Sequence, residues 1–125
     1  MSFTGRVNRK ARCDRNHAIY RITSKITGEE YVGLTFVRPP TAKEHTRSKM
    51  PMISVMSRFK SHCYRANNGS TDLFHQKIRE LGQDNFHVSI IEIIRGKEEA
   101  HKREVEIIKS IKPKLNTANK WGDTC

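Results

Sequence analysis

At 125 residues and 14.5 kDa the chain has room for one domain. Its 24 Lys+Arg against 13 Asp+Glu give a net charge of +11 with only 35% hydrophobic residues, and the mean hydropathy is −0.72. No apolar run approaches the roughly 20 residues of a membrane span, and the N-terminus lacks a secretory apolar stretch, so the expected setting is cytoplasmic, with no membrane partner. Positive charge on this scale favours a polyanion, nucleic acid first. Cys13, Cys63 and Cys125 are odd in number and far apart, which argues against a disulfide framework and against a structural zinc site.

Residues 1–16 carry Arg6, Arg9, Lys10, Arg12 and Arg15 against a single acid, Asp14, and read as a flexible cationic arm. Two β-rich segments follow, His17-Ala18-Ile19-Tyr20-Arg21-Ile22 and Glu30-Tyr31-Val32-Gly33-Leu34-Thr35; Thr27-Gly28 between them supplies the turn of a hairpin. Residues 36–53 hold Pro39, Pro40 and Pro51 with Arg38, Lys43, Arg47 and Lys49, and are expected to form a long basic loop. Ser54 reads as the N-cap of a helix burying Val55, Met56, Phe59, Cys63 and Ala66, with Arg58, His62 and Arg65 off the apolar stripe; Asn67-Asn68-Gly69 ends it. A second helix opens at Thr71 or Asp72, buries Leu73, Phe74, Ile78 and Leu81, and stops at Gly82. Residues 85–94 form a third strand, Gly96 breaks it, and residues 97–111 make a helix that Pro113 terminates. The order β-β-α-α-β-α implies an α+β fold, a small three-stranded antiparallel sheet flanked by helices.

Several side chains invite chemistry, each beside a plainer reading. Tyr20 and Tyr31 lie on adjacent strands, where phenols most often serve as amphipathic core residues. Gly33, inside a strand, marks a bulge or a close approach. Arg58 and His62 stand four apart on one helix face; such a pair is usually solvated, but a guanidinium beside an imidazole can also stabilise a phosphorane-like transition state and move protons. Glu104 sits among Ala100, Val105 and Ile108, either as a metal ligand or paired with Lys102, Arg103 or Lys109. Asn116 follows Pro113-Lys114-Leu115 and can cap or bridge a turn.

Taken in order, Ala18-Ile19-Tyr20, Tyr31-Val32-Gly33, Arg58 with His62, Glu104 within Arg103-Glu104-Val105-Glu106-Ile107-Ile108, and Pro113-Lys114-Leu115-Asn116 resemble the GIY-YIG nuclease superfamily. The resemblance spans about residues 17–118 and is nearest to the catalytic domain of phage homing endonucleases, through residues 57–62 and 122–125. Ala18 replaces the Gly of the family name, and residues 36–53 make the stretch from Gly33 to Arg58 longer than the family pattern. The resemblance implies a divalent-metal-dependent endonuclease acting on double-stranded DNA, with Mg²⁺ as cofactor and Mn²⁺ as substitute. It implies Tyr20, Tyr31, Arg58, His62, Glu104 and Asn116 as catalytic residues, Glu104 being the metal ligand, and a host-cell cytoplasmic setting. Arg12, Arg15, Arg38, Lys43, Arg47, Lys49, Lys60 and Arg65 are the expected DNA contacts. Residues 119–125 are expected to be a tail or the start of a linker, and a separate DNA-binding domain or a dimer is the expected aid to double-strand cleavage. The alternatives are a non-catalytic basic nucleic-acid-binding protein of this fold and a branched- or flap-DNA repair nuclease.

Overall fold

The computed structural model describes residues 15–40 and 47–116. Three antiparallel strands, β1 (Asn16–Ser24), β2 (Glu30–Phe36) and β3 (Phe86–Arg95), form one sheet in the order β2-β1-β3. Three helices cover it: α1 (Met50–Asn67), α2 (Leu73–Leu81) and α3 (Lys97–Ile111). The expected α+β arrangement is the one observed.

β1 is central and covered on both sides, so its residues are almost continuously buried instead of alternating. On one face Ala18, Tyr20 and Ile22 pack with Val55, Phe59 and Ala66 of α1 and Phe74 and Ile78 of α2. On the other, Ile19 and Val32 meet Ile107 and Ile108 of α3. The hairpin closes because the Ser24 Oγ accepts the N–H groups of Ile26 and Thr27 at 3.1 and 3.0 Å, while Gly28 adopts a positive φ of 78°. Arg79 clamps the turn between α1 and α2, donating to the carbonyls of Ala66 and Ser70 at 2.7 and 2.8 Å.

The structure departs from the sequence-based expectation at the start of α1, at Ser54, at Leu73 and at His62. The chain becomes helical well before Ser54: a 3₁₀ turn, Arg47–Lys49, leads directly into α1 at Met50, so residues 36–53 are not one irregular loop. Pro51 lies in the first turn of α1, where its missing N–H costs no intrahelical bond. Ser54 is buried inside the helix, its Oγ accepting the Arg38 N–H at 3.2 Å. In α2 the inward arc is Phe74, His75 and Ile78, while Leu73 is exposed. His62, read as off the apolar stripe, is buried in α1.

Candidate active site

The hairpin register sets the first half of the site. Tyr20 pairs with Gly33 and Ile22 with Tyr31, so both phenols project from the α1/α2 face as diagonal neighbours, ring centroids 6.3 Å apart. The Tyr20 ring lies directly over Gly33: a Cβ there would stand 2.5 Å from the ring carbon Cζ and from the hydroxyl oxygen. Gly33 is therefore the close approach that a glycine in a strand can signal; the bulge of this sheet is elsewhere, between β1 and β3 at Ile19/Tyr20. Tyr31 stacks flat on Phe74 of α2, with centroids 4.3 Å apart and planes 11° from parallel.

Arg58 and His62 share a flank of α1 but have opposite surroundings. Arg58 is exposed, and its guanidinium lies in hydrogen-bonding reach of the Tyr20 hydroxyl. It lines a cleft of about 260 Å³ with Thr35, Phe36, Arg38, Ser57 and Ser61. His62 is buried; its Nε2 is 3.1 Å from the Tyr20 hydroxyl, and its ring stands edge-on to Tyr31 and Phe74. Its Nδ1 lies 2.8 Å from Nε2 of His75, whose Nδ1 is 2.6 Å from the Ser70 Oγ. Sequence reasoning missed His75. Its one signal was a histidine between Phe74 and Ile78 on the arc that faces the sheet.

Glu104 sits on the sheet-facing arc of α3 with Ala100, Ile107 and Ile108, its side chain 15% exposed. Burial pushes its carboxyl up to about 7. Two of the cations weighed as partners from sequence are engaged elsewhere: Arg103 binds Glu92 of β3 at 2.8 Å and Glu106 at 2.9 Å, and Lys102 approaches Glu99 at 3.9 Å, while Lys109 is exposed. Beside Glu104 stands His101, at 3.6 Å. The charge of Glu104 raises the pKa of both phenols and that of Arg58 lowers it, so the four groups share one electrostatic neighbourhood. Burial outweighs Arg58. The Tyr20 phenol is driven far above its ordinary value by desolvation first, and Tyr31 is raised by the same cause, so both are neutral at pH 7.

Asn116 acts on the hairpin backbone. Its Oδ1 accepts the Val32 N–H and its Nδ2 donates to the Val32 carbonyl, both at 2.9 Å, while the Leu115 N–H donates to the Glu30 carbonyl at 3.0 Å. These bonds close the outer edge of β2, which no other described strand pairs.

The basic residues fall into separate groups. Arg15 and Arg38 line a groove of about 440 Å³ with Pro39, Pro40 and Arg95, the last not anticipated from sequence. Lys49 is exposed ahead of α1, and Arg65, also exposed, lies two turns beyond Arg58 on the same flank. Lys60 faces a different groove of about 750 Å³, with Phe59, Tyr64 and His87, away from Arg58. Arg12, Lys43 and the Arg47 side chain lie outside the described residues, as do Cys13 and Cys125. Cys63 is free and buried.

Among the described residues no cluster of three or more His, Cys, Asp or Glu could hold a metal ion, so a closed protein cage is absent there. A partly open carboxylate with an elevated pKa suits a hard cation that keeps most of its waters. No described helix is long and apolar enough to cross a membrane. A family model described as the GIY-YIG catalytic domain matches residues 53–119, just over half of the 125-residue chain. The matched stretch holds Arg58, His62, Glu104 and Asn116; the tyrosine hairpin precedes it. Neither a curated protein nor a solved structure matches significantly.

Proposed function

The chain belongs to the GIY-YIG catalytic-domain family, whose members are nucleases, and on that premise we propose a divalent-metal-dependent endonuclease that hydrolyses a phosphodiester of double-stranded DNA. One observation carries the reading: the exposed Arg58 guanidinium lies in hydrogen-bonding reach of the buried Tyr20 hydroxyl, itself 3.1 Å from His62, and the half-buried Glu104 carboxylate acts on the same two phenols.

Hydrolysis at phosphorus builds negative charge on the non-bridging oxygens, and fixed positive charge already in place lowers that barrier. Arg58, exposed and lining the cleft with Ser57 and Ser61, would bind the scissile phosphate and stabilise that charge. Glu104 would hold Mg²⁺ (or Mn²⁺) as its protein ligand; the cation, when bound, neutralises phosphate charge and stabilises the leaving 3′ oxygen. The attacking water must lose a proton. The Tyr20 hydroxyl, bonded to His62 at 3.1 Å, receives it and passes its own proton to Nε2, so Tyr20 need not ionise beforehand. Tyr31, fixed by its stacking on Phe74, orients the water or the phosphate. Asn116 holds the β2 edge from which Tyr31 projects. Arg15, Arg38 and Arg95 supply a basic groove for flanking phosphates.

The test is a time course on supercoiled plasmid with and without Mg²⁺. Wild-type protein is expected to give nicked circles, with linear DNA appearing later or with a second molecule. Arg58→Ala and Glu104→Ala each remove nicking while DNA retention stays within a few-fold. Nicking that survives both substitutions overturns the mechanism, and salt-sensitive retention without any scission identifies a binding protein instead. The finer reading, a homing endonuclease of phage type, rests on the likeness of residues 57–62 and 122–125 and predicts cutting at a fixed sequence.

A further inference from the structure

The hydrogen bonds of His62 do not end at Tyr20. Tyr20 hydroxyl, His62 Nε2, His62 Nδ1, His75 Nε2, His75 Nδ1 and Ser70 Oγ follow one another at 3.1, 2.8 and 2.6 Å across three bonds. Oδ2 of Asp72 lies 3.7 Å from His75 Nδ1, at the far end. The inner members are buried, His75 with a side chain 3% exposed, whereas the Asp72 side chain is 42% exposed. The line therefore runs from the hairpin phenol, through the apolar layer between α1, α2 and the sheet, to solvent at the start of α2.

Two imidazoles are costly in a cluster that contains Phe59, Phe74 and Ile78. Mutual hydrogen bonding explains why they are tolerated there, but not why both ends reach a functional group. A neutral imidazole donates from one nitrogen and accepts at the other. Two in series form a directed wire in which both rings carry their proton on the same nitrogen. Arg79 fixes the Ser70 carbonyl, and the Asp72 N–H donates to the Ser70 Oγ at 3.3 Å, so the outer terminus is held in place.

We propose that His62, His75 and the Ser70–Asp72 turn form a proton exit path from the Tyr20 hydroxyl to the surface, with His75 as a positioning and relay residue of phosphodiester cleavage. The inference rests on the nuclease reading above. As water forms its bond to phosphorus, its proton goes to the Tyr20 oxygen and the Tyr20 proton goes to His62 Nε2. The His62 Nδ1 proton moves to His75 Nε2, and the His75 Nδ1 proton leaves through the Ser70 hydroxyl, 2.6 Å away, to solvent, drawn outward by the Asp72 carboxylate 3.7 Å from His75 Nδ1. The bond to the 3′ oxygen breaks, and that oxygen takes a proton from solvent. No oxidant or further reactant is needed. Among the described residues, the ionisable groups facing the wire include Tyr20 from β1, Tyr31 from β2 and Asp72 beside α2, with Arg58 of α1 and Glu104 of α3 reaching it through the phenols.

His75→Gln keeps a hydrogen-bonding group but cannot relay. Its kcat for plasmid nicking is expected to fall about 10- to 100-fold at pH 7 with KM within two-fold, and the deficit shrinks toward pH 9 as hydroxide becomes available. Asp72→Asn, at an exposed position, is expected to make the rate depend on buffer concentration, with recovery in concentrated buffer. ¹⁵N spectra of the metal-free protein report the wire without any catalysis, the expected result being neutral His62 and His75 protonated on the same ring nitrogen. A purely structural His75 would give a loss of constant proportion from pH 6 to 9, and that result overturns the relay; so does a His75 that is permanently cationic at pH 7. If His75→Gln does not fold, the Asp72→Asn rates and the ¹⁵N spectra decide. Wild-type protein that never nicks DNA defeats the nuclease reading instead, whatever the spectra show.

Discussion

Gly33→Ala tests the geometry of the hairpin most directly. The new Cβ would meet Cζ and the hydroxyl oxygen of Tyr20 at 2.5 Å, against 3.4 Å or more for ordinary contact, so the ring must retreat by about 0.9 Å. Tyr20 is 1% exposed, so the ring cannot swing out to solvent. Overpacking of this kind costs about 1–3 kcal/mol, and the displaced hydroxyl gives up a buried hydrogen bond to His62 worth about 1 kcal/mol. Alanine returns roughly 0.4–1 kcal/mol by restricting the unfolded chain. The net expectation is a loss of about 2 kcal/mol, or a Tm lowered by roughly 6–10 °C. Thermal unfolding of a double-mutant cycle isolates the clash, because Tyr20→Leu lacks both atoms that the Cβ would strike. Gly33→Ala on that background is expected to be nearly neutral, leaving a coupling of about 2 kcal/mol. Additive effects, or a Gly33→Ala protein with unchanged Tm and nicking rate, would refute the contact as the reason for glycine.

Other consequences follow from the same geometry. The Glu104 carboxyl, near 7 in the fold against an ordinary 4.5, withdraws up to about 3 kcal/mol of stability as pH rises through that interval; metal-free Glu104→Gln is therefore expected to melt higher than wild type at pH 8 and equally at pH 4, and an equal Tm at pH 8 contradicts this. Tyr20 and Tyr31 hold their protons in the fold above the ordinary phenol range, so stability is present below pH 10 and lost as pH climbs beyond it; urea midpoints at pH 8, 10 and 11 read this out, and a flat series counts against it. Asn116→Ala leaves the N–H and carbonyl of Val32 without their partner and is expected to cost about 1–3 kcal/mol, with faster hydrogen exchange at Val32 than in the wild type.

The sequence was most informative where period and punctuation agree. Residues 97–111 repeat at helical spacing between Gly96 and Pro113, and the helix occupies those residues. The hairpin was equally legible, since β-branched and aromatic residues flank Thr27-Gly28. The start of α1 was hidden by Pro51, because the same residue that breaks a helix interior is welcome in its first turn. The histidines were hidden for another reason. An imidazole is amphipathic, and only the opposing face decides whether it points to water or to another ring; His62 and His75 each find theirs in the other. The isolation of Glu104 from its neighbouring cations depends on Glu92, a residue of β3 that the linear order does not bring near Arg103.

The two faces of the sheet are not equally anchored. Among the described residues, thirteen buried side chains join the cluster on the side of α1 and α2, against four on the side of α3, while Leu115 and Asn116 pin the chain just past α3 to β2. Arg103 of α3 grips Glu92 of β3 at 2.8 Å, so opening of α3, on the face with fewer buried apolar side chains, must break that pair while the phenols, Arg58 and the histidines stay in register. The carboxylate is then the mobile half of the site: backbone amides of α3 would exchange ahead of those in α1, and cation binding at Glu104 would slow them.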